Sequence, residues 1–313
     1  MKRIYFDQNI WLDLQKERFD CSITEILEKI NRDKVEVIYS PANIEEICDS
    51  FCKNGDKNIS LQEKNDFLEM VENVTCCKEI NPYVNGYDVI HKFCGNKGPS
   101  IVNEKPSSCF KRAFDNIKSN SFAERSQNHS TDISKGVSEH IKSEAGHLNF
   151  KEFTDKNPSI LNDFRNLLAE KLIHKDAISF IINSGMKIQP WNEKIQKIVV
   201  DKINEIACFK GDLYLNASDS LIENKDILSR GWDVCEAAID SLMLIMIESG
   251  FSSEKVAKSS LHDVSHTIYG AYSDYFISRD PRLIRKAKSV YDFFGIKTKV
   301  LNGDNPEWKI HLN

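Results

Sequence analysis

Two apolar runs, one near each end of the chain, each lead into an aspartate. No other feature constrains the fold as strongly. The first is Ile4-Tyr5-Phe6-Asp7 and the second Tyr275-Phe276-Ile277-Ser278-Arg279-Asp280. A strand that is apolar without alternation buries both faces, the habit of parallel sheets covered by helices. In an open α/β sheet the ligand site lies outside the carboxyl ends of the strands. An aspartate there faces the site and not the core. Two such residues, brought from opposite ends of the chain, imply an acidic pocket that folding closes. Acidic pockets of this kind hold divalent cations.

The rest of the chain repeats the alternation. Lys2 to Phe6 reads as a first strand, and helical spacing runs from Trp11 to Ile30 with a break near 19–22. Val35 to Tyr39 reads as a second strand, and Ser40-Pro41 follows as a helix start. Leu61 to Val71 is helical in pattern, and Val74 to Ile80 reads as a third strand. Near the other end, helices are expected over Trp232–Glu248, Ser253–Ser259, Asp263–Tyr272 and Pro281–Phe294, the last stopped by Gly295. Tyr275–Ser278 and Lys297–Leu301 are the remaining strands. This order predicts an α/β fold, a parallel sheet flanked by helices with right-handed crossovers.

The middle does not share the rhythm. We expect residues 83–230 to form a large, mostly helical insertion in a discontinuous α/β domain made of 1–82 and 231–313. Within it, His91 to Asn128 carries a net charge of +4, including Lys111 and Arg112, with Phe93, Phe110, Phe114 and Phe122 interleaved. Cations beside aromatic rings can track a single-stranded backbone and stack on its bases, although a solvated loop has the same composition.

The whole chain of 313 residues carries a formal net charge of −5, which argues weakly against an obligate polyanion binder. A metal site relaxes that objection, because bound cations offset the local negative charge. No apolar run approaches the ~20 residues of a membrane helix, and the chain enters a strand pattern at once. With nine cysteines and no export signal, the expectation is a cytoplasmic protein with reduced thiols. The cysteine and histidine spacings do not match a standard zinc knuckle.

Four carboxylates stand where strands meet helices: Asp7, Glu46, Asp263 at the expected start of its helix, and Asp280. In order along the chain, the motifs are strand–Asp7-Gln8-Asn9, strand–Ser40 with Glu46 six residues on, and Asp263 followed by Ser278-Arg279-Asp280 at a strand end. This series resembles the PIN-domain nucleases. The resemblance covers about 1–82 and 231–313. It implies a PIN-like sheet and a Mg²⁺- or Mn²⁺-dependent endonuclease, on RNA ahead of DNA. It also implies that Asp7, Glu46, Asp263 and Asp280 ligate the metal directly or through water. Asn9 would orient a ligand or phosphate, Ser278 would bond a carboxylate or bound water, and His266 would meet the scissile phosphate or shuttle a proton. The choice of Glu46 over Glu45 rests on spacing. A free ribonuclease must be kept silent, so a toxin or anti-phage role with an inhibitory protein partner, or a homo-oligomer, is compatible with the pattern. The rivals are the same site acting on DNA, and a non-catalytic scaffold of the same fold.

Overall fold

The computed structural model describes residues 1–19, 21–52, 59–81, 99–119, 148–186, 193–225, 227–251 and 257–313. Its centre is a parallel four-stranded sheet in the order β2-β1-β5-β6, formed by β1 (Lys2–Phe6), β2 (Val35–Ile38), β5 (Tyr275–Ser278) and β6 (Lys299–Asn302). The two apolar runs that end on aspartates are therefore neighbours. Phe6 stands opposite Ile277, and the Asp7 amide continues the ladder by donating to Ile277 O at 2.9 Å. The chain moves from β1 outward to β2 on one side, and β5 and β6 lie on the other. The gap between β1 and β5 is thus a topological switch point, where open α/β sheets place their sites.

Both faces of the sheet are covered, as the unbroken apolar runs require. Ile4, Phe6, Val35, Val37, Tyr275 and Ile277 pack on one side, against α1 (Gln8–Gln15), α2 (Ile23–Lys29), α3 (Pro41–Cys52) and α4 (Leu61–Thr75). Tyr5, Ile38, Phe276 and Val300 pack on the other.

Local signals explain several boundaries. Ser60 and Glu63 form a reciprocal capping box at the start of α4. The break expected near 19–22 is present, since α1 ends at Gln15 and α2 begins at Ile23. The expected third strand is shorter than its pattern, because α4 continues through Thr75. β3 (Lys78–Asn81) pairs antiparallel with β4 (Ser100–Asn103) and touches the main sheet through a single Tyr39–Glu79 bridge.

The segment 83–230 is mostly helical where described, but it is not uniform. Its first part supplies β4 and α5 (Pro106–Ser119), and α5 packs on α3 and α4 of the N-terminal half. A polar knot around the buried Glu79 carboxylate fastens this hairpin. Arg112 Nη2 donates to Glu79 Oε1 at 2.8 Å and Nη1 pairs with Glu104. Burial pushes the Glu79 carboxyl up to about 7, against the pull of the Arg112 charge. The second part is α6 (Phe150–Lys156) and a helical hairpin, α7 (Ser159–Asn183) with α8 (Glu193–Asn224). α7 also packs on α9 (Trp232–Glu248), so Phe150, Phe153, Phe164 and Leu168 join the core on that face of the sheet. Among the described residues no helix is long and apolar enough to cross a membrane.

α10 (Ala257–Gly270) corrects the expectation that a short helix over 253–259 precedes a second one starting at Asp263. Residues 257–270 form one helix, and Asp263 lies nearly two turns inside it. Residues 252–256 are outside the described residues. α11 (Pro281–Phe294) has the expected limits. Asp280 is its N-cap, Pro281 occupies its first turn, and Gly295 ends it in the left-handed region at φ 66°. A 3₁₀ segment, Pro306–Leu312, closes the chain.

Candidate functional site at the switch point between β1 and β5

Asp7 follows the last residue of β1 and is 4% exposed. Its two oxygens are held from different directions. Oδ1 accepts from the Gln8 amide at 2.7 Å. Oδ2 accepts from Ser278 Oγ at 2.7 Å and from Asn9 Nδ2 at 2.5 Å. Ser278 Oγ in turn accepts from the Asp280 amide at 3.0 Å, and Asn9 Oδ1 accepts from the Arg279 amide at 3.0 Å. The Asp7-Gln8-Asn9 and Ser278-Arg279-Asp280 triplets thus form one knot, made possible by the parallel pairing of β1 with β5. Arg279 is anchored beside it by Asp13, 2.6 Å from Nη1, and by Asp304, 2.5 Å from Nε.

His266 connects this knot to α3. It is 1% exposed on α10, with Nε2 2.6 Å from Glu46 Oε1 and 3.6 Å from Asp7 Oδ1. Glu46 and not Glu45 makes this contact, and Glu45 is exposed. Burial works to lower the His266 pKa, but the Glu46 hydrogen bond and the Asp7 charge outweigh it, and the net shift is upward. Burial likewise pushes the Asp7 carboxyl up, opposed by His266 and reinforced by Glu46.

The far side of the ring is equally fixed. His266 Nδ1 lies 2.6 Å from Tyr5 Oη, which lies 2.7 Å from Ser40 Oγ. Burial holds the Tyr5 phenol far above its ordinary pKa, so it stays neutral. A consistent assignment has imidazolium Nδ1–H donating to Tyr5 and Tyr5 O–H donating to Ser40. Ser40 begins α3 without using its hydroxyl as a cap. Instead the Ser40 amide donates to Asn43 Oδ1 at 3.0 Å, and Asn43 Nδ2 donates to Phe6 O at 3.1 Å. These bonds pin the start of α3 to the end of β1.

The other two carboxylates are engaged elsewhere. Asp280 Oδ1 accepts from the Arg282 and Leu283 amides at 2.8 and 3.4 Å as a helix cap. Asp263, 8% exposed, pairs at 2.9 Å with Nζ of Lys286, which is wholly buried. Accordingly, no group of three or more His, Cys, Asp or Glu side chains among the described residues forms a ready metal cage.

Other singled-out residues have structural partners. Arg112 is bound to Glu79 and Glu104, and both it and Lys111 are exposed. Phe110 and Phe114 stack at 5.8 Å and pack with Phe51, so they belong to the core and not to a base-stacking surface. Phe93 and Phe122 lie outside the described residues. Two further aspartates are engaged as well: Asp240 of α9 pairs with Lys171, and Asp274 Oδ2 accepts from the Arg3 amide at 2.7 Å.

The sequence marks Ser40 only as a motif position and helix start, and Tyr5, Asn43 and Lys286 not at all. Lys286 left a signal, since it falls on the stripe of Leu283, Ala287, Val290 and Phe294, where a core-facing helix carries apolar residues. Gln8 is the other omission. It is 6% exposed, and its Oε1 is buried without a donor among the described residues.

No family model, curated protein or solved structure matches the chain.

Proposed function

We propose that this chain is a PIN-like nuclease, a divalent-metal-dependent endonuclease that hydrolyses phosphodiester bonds, of RNA ahead of DNA. One observation carries the reading. Asp7 Oδ1 and Glu46 Oε1 approach the same position from two secondary-structure elements, and a histidine nitrogen with raised proton affinity lies there. Two carboxylates that hold a positive charge between them fit a hard cation. The donor set is oxygen, as Mg²⁺ and Mn²⁺ require. Gln8, next to Asp7 in the chain, holds a further buried side-chain oxygen, Oε1, with no donor among the described residues. Mg²⁺ binds through one or two carboxylates and keeps waters for exchange with substrate phosphate, so a pair such as Asp7 and Glu46 is enough to hold it.

In this reading Asp7 and Glu46 hold the ion, and Asp280 is tied to Asp7 through Ser278 Oγ. When bound, the ion supplies Lewis acidity for activating water and for offsetting charge on the leaving oxygen. The remaining tasks fall to the chain. Ser278 and Asn9 fix the Asp7 carboxylate in one rotamer. Tyr5 and Ser40 hold the His266 ring so that Nε2 faces the acidic edge. Nε2, deprotonated once a cation neutralises Asp7 and Glu46, can accept a proton from the attacking water, the work of a general base. Exposed Lys111 supplies backbone attraction at a distance. The preference for RNA rests on family analogy.

The test is digestion of labelled single- and double-stranded RNA and DNA with Mg²⁺, Mn²⁺ or EDTA. The expected result is cleavage, strongest on RNA, that needs the metal and disappears in Asp7→Asn. Turnover of DNA alone would shift the substrate, and turnover in EDTA would remove the cation from the account.

A further inference from the structure

Phe19, just after α1, leaves a large aromatic ring in solvent. A single exposed phenylalanine needs no explanation by itself. This one is 60% exposed, yet its neighbours fix it. Arg279 lays its guanidinium on the ring, with Cζ 3.3 Å from the ring centroid. Two carboxylates anchor that guanidinium: Asp13 Oδ2 is 2.6 Å from Nη1, and Asp304 Oδ1 is 2.5 Å from Nε. Asp13 is buried, and its other oxygen holds Arg18 Nη2 at 3.0 Å. Arg18 Cζ stands 6.0 Å from the ring centroid, at the limit of such contacts. The backbone is held as well. Phe19 has φ 57°, in the left-handed region that a residue with a Cβ rarely adopts. Conformations of this kind persist only where the surroundings impose them, and they gather at ligand sites.

A short path of contacts joins the ring to the switch point. The Arg279 amide donates to Asn9 Oδ1, and Asn9 Nδ2 donates to Asp7 Oδ2. Phe110 and Phe114 bury their rings in the core, whereas Phe19 offers a flat apolar surface to water. Unpaired bases stack on such surfaces, with Arg adding to the attraction, and the contact tolerates any sequence because every base has a π-face. Two guanidinium groups and two carboxylates surround the ring, so their charges balance. The surface therefore attracts by stacking and not by net charge.

We propose that Phe19, backed by Arg279, is a stacking platform for an unpaired base of the nucleic-acid strand held at Asp7. The inference rests on the nuclease reading above and deepens it, by naming single-stranded segments as the substrate. Phe19 binds substrate and takes no part in the chemistry. A duplex base is already stacked between its neighbours and cannot use the ring.

The test is fluorescence anisotropy of the full chain with short labelled oligoadenylates and their duplexes, in EDTA. Phe19→Leu, which keeps apolar bulk and loses the flat ring, should weaken binding of single-stranded RNA and DNA about tenfold or more. Phe19→Trp should bind them within about threefold of wild type. Duplex affinity should be the same in Phe19→Leu and wild type. The loss in Phe19→Leu should be equal at about 50 and 200 mM salt, because no charge is removed. Equal binding of single strands by wild type and Phe19→Leu would overturn the proposal, and so would an equal loss on duplexes. Should Phe19→Leu fail to fold by circular dichroism, photocrosslinking of iodouridine-labelled RNA to wild-type protein decides. Adducts on the peptide that holds Phe19 support the platform, and adducts confined to other peptides overturn it. If wild-type protein binds no single strand, the platform falls. Mg²⁺-dependent cleavage by the same preparation then shows that the nuclease reading survives, and its absence that both fail.

Discussion

At the scale of single residues, the account turns on His266. Its ring bridges three segments: Tyr5 of β1, Glu46 of α3, and the helix that carries it. Because its folded pKa is raised above the unfolded value, the stability it adds is fully present below the unfolded pKa near 6.5. That stability is lost as pH rises through the folded pKa. His266→Gln should therefore cost roughly 2 kcal/mol at pH 6, the order expected for hydrogen bonds to a charged group. The difference between variant and wild type should narrow toward pH 9, as read by denaturant melts. A constant difference across that range would mean the ring is neutral throughout. The sequence marked Asp7, Glu46, Asp280 and His266, because strand ends and helical spacing locate them. It did not mark Tyr5, which looks like an ordinary core tyrosine, and it marked Ser40 only as a motif position and helix start. Their roles arise from a contact between β1 and α3 that spans 35 residues of chain.

At the scale of elements, the strands and the C-terminal helices were legible, because buried parallel strands and a capped amphipathic helix leave strong local patterns. The start of α10 was not, since Asp263 resembles a helix cap and sits instead inside the helix to meet Lys286. The pairing of β3 with β4 was hidden for a different reason. The two strands are separated by 82–99, and nothing local to either announces an antiparallel partner. The turn after β6 offers an element-scale prediction. A Cβ on Gly303 would lie 2.4 Å from Ile10 Cδ1 and 2.7 Å from Arg279 Cγ. Gly303→Ala should cost about 1–3 kcal/mol by overpacking. It should also loosen the Asn9–Arg279 contact, lowering activity more than the stability loss alone explains. Melting curves alongside cleavage rates check this, and wild-type behaviour in both would show that Ile10 and Arg279 yield freely.

At the scale of the molecule, the sheet order explains why residues some 270 positions apart share one carboxylate. The switch point draws the two ends of the chain together, and the long central segment returns to cover one face through α6 and α7, together with α9. On the proposed reading, cation binding and His266 protonation compete for Asp7 and Glu46, so binding would release a proton and tighten with pH. Millimolar Mn²⁺ should accordingly raise the melting temperature, by more at pH 8 than at pH 6, as ligand linkage requires. Asp7→Asn should abolish the increment. An equal increment at both pH values would separate the histidine from the cation site.

The most direct test of the central claim is the single-turnover cleavage rate of a labelled single-stranded RNA in Mg²⁺, wild type against Asp7→Asn. The account predicts a fall of at least about a thousandfold, the scale of losing a group that acts in the transition state. Equal rates in the two proteins, or cleavage that persists in EDTA, would contradict it.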